Sequence, residues 1–178
     1  VCLFDPQKEA SPIEGLGWPE GLYAAVFFTG SGASTIELLG SIEAFREEQP
    51  AVFTEHLERM SQAAEFLIAA WHEGHVEDIL DAVADAQERL TLLSRAGELD
   101  IDGGGQAELL AAIEEAGAIG RTSGAGGGDC AWALADDPAA LDAATKAAEA
   151  LGYSRLMLTF GQEDGLTVEH LPDDAREG

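Results

Sequence analysis

The chain has 178 residues and carries 34 Asp plus Glu against 9 Lys plus Arg, a formal net charge of −25. Nine scattered cations cannot build the basic stripe that a nucleic-acid binder needs, and the same deficit disfavours docking on an anionic membrane. The chain is not a disordered polyanion, because 46% of its residues are hydrophobic and the acids are spread between apolar runs; its length allows one domain burying roughly 70% of its unfolded surface.

Residues 1–20 are rich in turn formers (Pro6, Pro12, Gly15, Gly17, Pro19) and read as a connecting segment. Leu22–Thr29 (LYAAVFFT) is a near-continuous apolar run and predicts a strand. The small-residue turn Gly30–Thr35 follows, and Ser34 or Thr35 suits the cap of a helix over Thr35–Glu48. Ile36, Leu39, Ile42 and Phe45, three apart, track one face of it only loosely. Pro50 belongs in the first turn of the next helix. Over residues 51–73, Phe53, Leu57, Met60, Ala64, Leu67 and Trp71 step by three and four, and Gly74 stands where a C-terminal cap is wanted. A third helix runs over His75–Arg95, and Gln106–Ala116 forms a short fourth after a glycine loop.

Ala118–Thr122 and Cys130–Ala135 predict two strands joined by Ser123–Asp129 (SGAGGGD). Asp136-Asp137-Pro138 opens a helix through Leu151, with Asp as cap and Pro in the first turn. Arg155–Phe160 and Leu166–Glu169 complete the strands, and 171–178 is a polar tail. Strands and helices are segregated along the chain. That predicts an α+β fold over residues 21–170: a mostly antiparallel sheet of about four to five strands packed against helices.

Cys2 and Cys130 offer neither a CxxC spacing nor a disulfide ladder, so the expected setting is reduced and cytoplasmic. Cys130 opens an apolar strand and reads as an inert thiol. His72 and His75 flank Gly74 near Glu73 and Glu77, but an exposed polar junction explains them better than a zinc site, and no metal ligands are assigned. Only Lys8 and Lys146 among the cations are Lys, which fits a salt-adapted protein or a GC-rich genome. The chain starts at Val1 rather than Met, which suggests a piece or a processed product.

The Ser123–Asp129 loop has four glycines in six positions, more than a plain turn needs. Glycine permits positive φ, and successive N–H groups in such a turn form an anion-binding nest. No Gly-Lys-Ser/Thr follows, so it is not a Walker A loop, and it leads into a strand rather than the helix of a Rossmann fingerprint.

Gly117–Leu134 (GAIGRTSGAGGGDCAWAL) resembles the third, C-terminal motif of the GHMP small-molecule kinases. The form TSGAGGGDC is most similar to that of the bacterial-type phosphomevalonate kinases within that superfamily. Phe28–Thr35 (FTGSGAST) resembles their Trp-Thr-Gly-x-x-Ala-Ser-Thr turn, and Phe160–Leu166 resembles a segment near their C-terminus. The resemblance implies the C-terminal half of an ATP- and Mg2+-dependent phosphotransferase that converts 5-phosphomevalonate to 5-diphosphomevalonate in isoprenoid biosynthesis. It implies a substrate-binding set of Ser34, Thr35, Ser123, Asp129 and Arg121, with Gly124, Ala125, Gly126, Gly127 and Gly128 as a glycine loop near the phosphates. Arg121 would either neutralise the acceptor phosphate or solvate a strand edge.

The superfamily's Pro-x-x-x-Gly-Leu-x-Ser-Ser motif, which wraps the ATP phosphates, has no counterpart here, nor do its first-motif cation and catalytic Asp. No catalytic residue is therefore assigned to this chain. Its expected partners are a phosphorylated small molecule and an N-terminal kinase domain, without which it should not turn over ATP. Mevalonate kinase, diphosphomevalonate decarboxylase, and a non-catalytic binding or regulatory module of the same fold are the alternatives.

Overall fold

The structure, a computed structural model, describes residues 2–3, 14–30, 35–101, 103, 105–124, 129–158 and 160. In chain order these form β1 (Cys2–Leu3), β2 (Glu14–Gly15), β3 (Tyr23–Phe28), α1 (Thr35–Glu48), α2 (Pro50–Glu73), α3 (Val76–Ala96), α4 (Gln106–Glu115), β4 (Ile119–Thr122), β5 (Cys130–Ala135), α5 (Pro138–Ala150) and β6 (Ser154–Leu156). The main sheet has the order β4-β5-β3-β6, and every pairing in it is antiparallel. The fold is α+β, as expected. No described helix is long and apolar enough to cross a membrane.

Strand alternation gives the sheet two apolar faces, so helices cover both. On one face Ala25, Phe27, Ala131, Ala133 and Ala135 pack against Leu109 and Ile113 of α4 and Leu141, Ala144 and Ala148 of α5. The alanines keep the helices close to the sheet. Phe27 fills the space they leave; at 0% exposure its burial is worth about 1.5–3 kcal/mol. On the other face Leu22 and Leu134 meet Ala70 of α2 and Ile79 and Val83 of α3. A third cluster joins the helices: Phe45 of α1 meets Phe53 of α2 edge-on, with ring centroids 5.7 Å apart, above Leu90 and Leu93 of α3.

Local chemistry sets the helix ends. Pro50 stands in the first turn of α2, and the Gly74 N–H closes its last turn on the Ala70 carbonyl at φ 74°. Asp137 caps α5: its Oδ1 accepts from the Ala139 N–H at 2.8 Å.

Four details depart from the sequence reading. Ile36 and Leu39 are exposed at 83% and 58%, whereas Ile42 and Phe45 do pack inward, joined by Leu38. Residues 2–3 and 14–15 pair as a short antiparallel ladder inside the segment read as turns. The last described strand is shorter than Arg155–Phe160: the Leu158 N–H bonds the Leu156 carbonyl at 3.1 Å and turns the chain off the edge. Phe160 then stacks on Trp18 at 4.9 Å and leans on Trp132 at 5.5 Å. Phe160 thus packs against aromatic rings rather than extending the edge strand. The expected strand Leu166–Glu169 and the tail 171–178 lie outside the described residues.

Candidate functional site

The turn after β3 and the hairpin between β4 and β5 meet at one end of the sheet. Phe28 pairs with Cys130, so the residues just beyond the ladder, Thr29 and Asp129, become neighbours. The Thr29 N–H donates to the Asp129 carbonyl at 2.8 Å, and its Oγ1 donates to the same oxygen at 3.1 Å. Two segments 100 residues apart are thereby stitched together. Left-handed residues sit at each departure point: Gly30 at φ 83°, Gly124 at 62° and Asp129 at 40°. Asp is among the few non-glycine residues that tolerate this region.

The base of the hairpin is pinned from both sides. The Ser123 N–H bonds the Cys130 carbonyl at 3.0 Å. Gln106, fully buried at the start of α4, donates from Nε2 to that same carbonyl at 3.2 Å. Gln87 of α3 reaches the outer edge of β4, where its Oε1 accepts from the Thr122 N–H at 3.1 Å and lies 3.4 Å from Thr122 Oγ1. A buried edge amide with no ladder partner would be costly, and Gln87 supplies the acceptor. Neither glutamine was assigned from sequence. Gln87 had a legible signal: it interrupts the inward series Val83, Gln87, Leu90 with a polar side chain. Gln106 had none.

The expected site residues divide as follows. Ser123 is half-buried at the hairpin base and Asp129 is exposed at its far end. Gly124 begins the loop. Ala125, Gly126, Gly127, Gly128 and Ser34 lie outside the described residues, and Thr35 is placed only as the first residue of α1. Arg121 is half-buried rather than solvated at the edge, and its Nη1 is buried with no hydrogen-bond partner among the described residues. Together with Gly124 it lines a cavity of about 190 Å³ whose other walls include Met60, Leu67, Ala86 and Leu90. Burial lowers its pKa. Cys130 has its thiol pKa raised by burial and then by the neighbouring Asp129 charge, so it stays protonated and is a poor nucleophile.

Asp129 is the only carboxylate between residues 116 and 135. The described hairpin residues therefore do not by themselves fit Mg2+–ATP, which needs several carboxylate or phosphate oxygens around the ion. One group of possible ligands among the described residues, Glu73, His75 and Asp78, has its ligand atoms within 4.8 Å of one another at the α2–α3 junction. There His75 Nδ1 lies 3.2 Å from Asp78 Oδ2 and 3.8 Å from Glu73 Oε2, an exposed polar arrangement at a helix start.

No family model matches the chain. It is 30% identical over 130 residues to the phosphomevalonate kinase of Streptomyces sp. (strain CL190), covering 73% of this chain and 35% of that one. It is 32% identical over 155 residues to the mevalonate kinase of Thermococcus onnurineus (strain NA1), covering 82% and 43%. The chain thus spans less than half the length of the curated relatives it matches. Among solved structures, a Lin0012 protein from Listeria innocua superposes with a TM-score of 0.77 at 27% identity over 82% of this chain and 41% of that one. Streptococcus pneumoniae phosphomevalonate kinase in complex with phosphomevalonate and AMPPNP gives 0.69 at 24% identity over 85% and 43%, a likeness of fold.

Proposed function

We propose that this chain, a C-terminal half belonging to the GHMP kinase superfamily, completes the acceptor site of an ATP-dependent kinase that phosphorylates 5-phosphomevalonate. The observation that supports the reading is the Thr29–Asp129 stitch, which joins the residue before the family-like Gly30–Thr35 turn to the last residue of the Ser123–Asp129 segment. There the hydroxyls of Ser34, Thr35 and Ser123 and the amides of the 124–128 loop would meet a phosphorylated acceptor, as helix starts and glycine nests suit anions. Asp129 would orient the loop and the acceptor. Arg121 would serve as counter-charge if its side chain turned from the α2–α3 cavity toward the loop.

ATP, Mg2+ and the remaining catalytic groups fall to residues outside those described, so the reading requires a longer protein. Phosphoryl transfer depends almost wholly on positioning and charge neutralisation, and this half supplies positioning. The choice of phosphomevalonate over mevalonate rests on the Asp129-Cys130 ending of the hairpin motif.

The test measures ADP release by the longest gene product containing this chain. Turnover with 5-phosphomevalonate but not mevalonate is expected. The reverse preference would reassign it to mevalonate kinase chemistry, and no ADP release with either would favour a non-catalytic module. Ser123→Ala should lower kcat/KM by about tenfold or more, the loss of one charge-assisted hydrogen bond, with the helical circular dichroism unchanged.

A further inference from the structure

Arg121 raises a question that its place in the hairpin does not answer. A guanidinium nitrogen buried without an acceptor costs free energy, and Arg121 Nη1 has none among the described residues, while Arg121 is one of the residues that line a cavity. The other walls come from two helices and are apolar: Met60 and Leu67 from α2, Ala86 and Leu90 from α3. We propose that this cavity binds a small aliphatic carboxylate, with the anion on the Arg121 guanidinium and the hydrocarbon against Met60, Leu67, Ala86 and Leu90.

The size agrees. A volume near 190 Å³ holds about six waters, or a carboxylate on a chain of about five carbons. The charge agrees as well. One guanidinium matches one planar carboxylate in a two-pronged pair. No second cation lines the cavity, so a phosphate dianion would be left half-neutralised. Burial lowers the pKa of Arg121, the cost of a cation partly removed from water. Gly124 forms part of the wall, so an occupant touches the start of the glycine loop. The inference concerns binding by these residues and stands without the kinase reading.

The experiment is calorimetric titration of the protein with 4-methylpentanoate, with its neutral amide and with inorganic phosphate. Saturable binding of the carboxylate is expected, about tenfold or more tighter than the amide and phosphate, with a similar loss in Arg121→Met. Ala86→Leu, which fills the cavity and leaves the cation, should weaken binding likewise. If circular dichroism shows Arg121→Met unfolded, Ala86→Leu decides. Equal binding of the amide or phosphate, unchanged affinity in a folded variant, or no saturable binding by the folded wild type would overturn the proposal.

Discussion

At the scale of single residues, two glutamines and a threonine do the work of fixing the hairpin. Gln87 satisfies the outward-facing amide of Thr122, an edge group that no strand covers. Replacing it with Leu keeps most of the volume and removes the acceptor. The variant should lose about 1–3 kcal/mol, the cost of a buried donor left unmade, read as a lower urea midpoint at unchanged slope. An unchanged midpoint would mean that water reaches the Thr122 amide. Thr29 works differently. It uses both its amide and its hydroxyl on one carbonyl, that of Asp129, so the exposed hairpin end is held through backbone rather than through the Asp129 side chain. The exposed Asp129 carboxylate takes no part in that contact.

Elements meet at close quarters where side chains are smallest. Gly120 of β4 lies under α4, and a Cβ there would come within 2.9 Å of Leu110 Cδ2 and 3.3 Å of the Leu110 Cα and carbonyl oxygen. The side-chain contact can shift, whereas the backbone contacts require α4 to move. Gly120→Ala should therefore destabilise by about 1–3 kcal/mol through overpacking, measurable by thermal or urea unfolding. A stabilised Gly120→Ala would show that α4 gives way without cost. The helix and strand positions themselves were largely legible. The 3-and-4 spacing in α2 and α3, the proline and glycine punctuation around Pro50 and Gly74, and the Asp-Pro start of α5 all act locally. The exposed Ile36 and Leu39 were not legible, because a helix with apolar residues on several sides does not say which side its neighbours cover.

The whole molecule carries −25 charges on one small domain. Few cations are available to offset them, and the described ion pairs of Arg46, Arg59 and Arg89 join neighbours on one helix. Such exposed pairs contribute little. Self-repulsion should therefore destabilise the compact state until salt screens it, since the Debye length falls from about 10 Å at 0.1 M to about 3 Å at 1 M. The melting temperature should rise by at least a few degrees between those KCl concentrations. A flat response would show that the acids lie too far apart to repel strongly. The same field opposes any anionic ligand, so a site for one has to supply its own donors close at hand.

The sequence by itself determined what depends on near neighbours: the helix spans, the strands Tyr23–Phe28, Ile119–Thr122 and Cys130–Ala135 to within a residue or two, the helix ends at Pro50, Gly74 and Asp137, and the α+β class. It also carried the resemblance that placed three separated stretches in one family. Only the tertiary structure decided the rest. The Thr29–Asp129 stitch, the two glutamine braces, the Phe160 seat between Trp18 and Trp132, and the place of Arg121 beside α2 and α3 all join residues far apart in the chain. The physical reason is that periodicity and capping report the free energy of a residue against its own segment. A buried polar group's partner, or its lack of one, is decided by which elements pack across it.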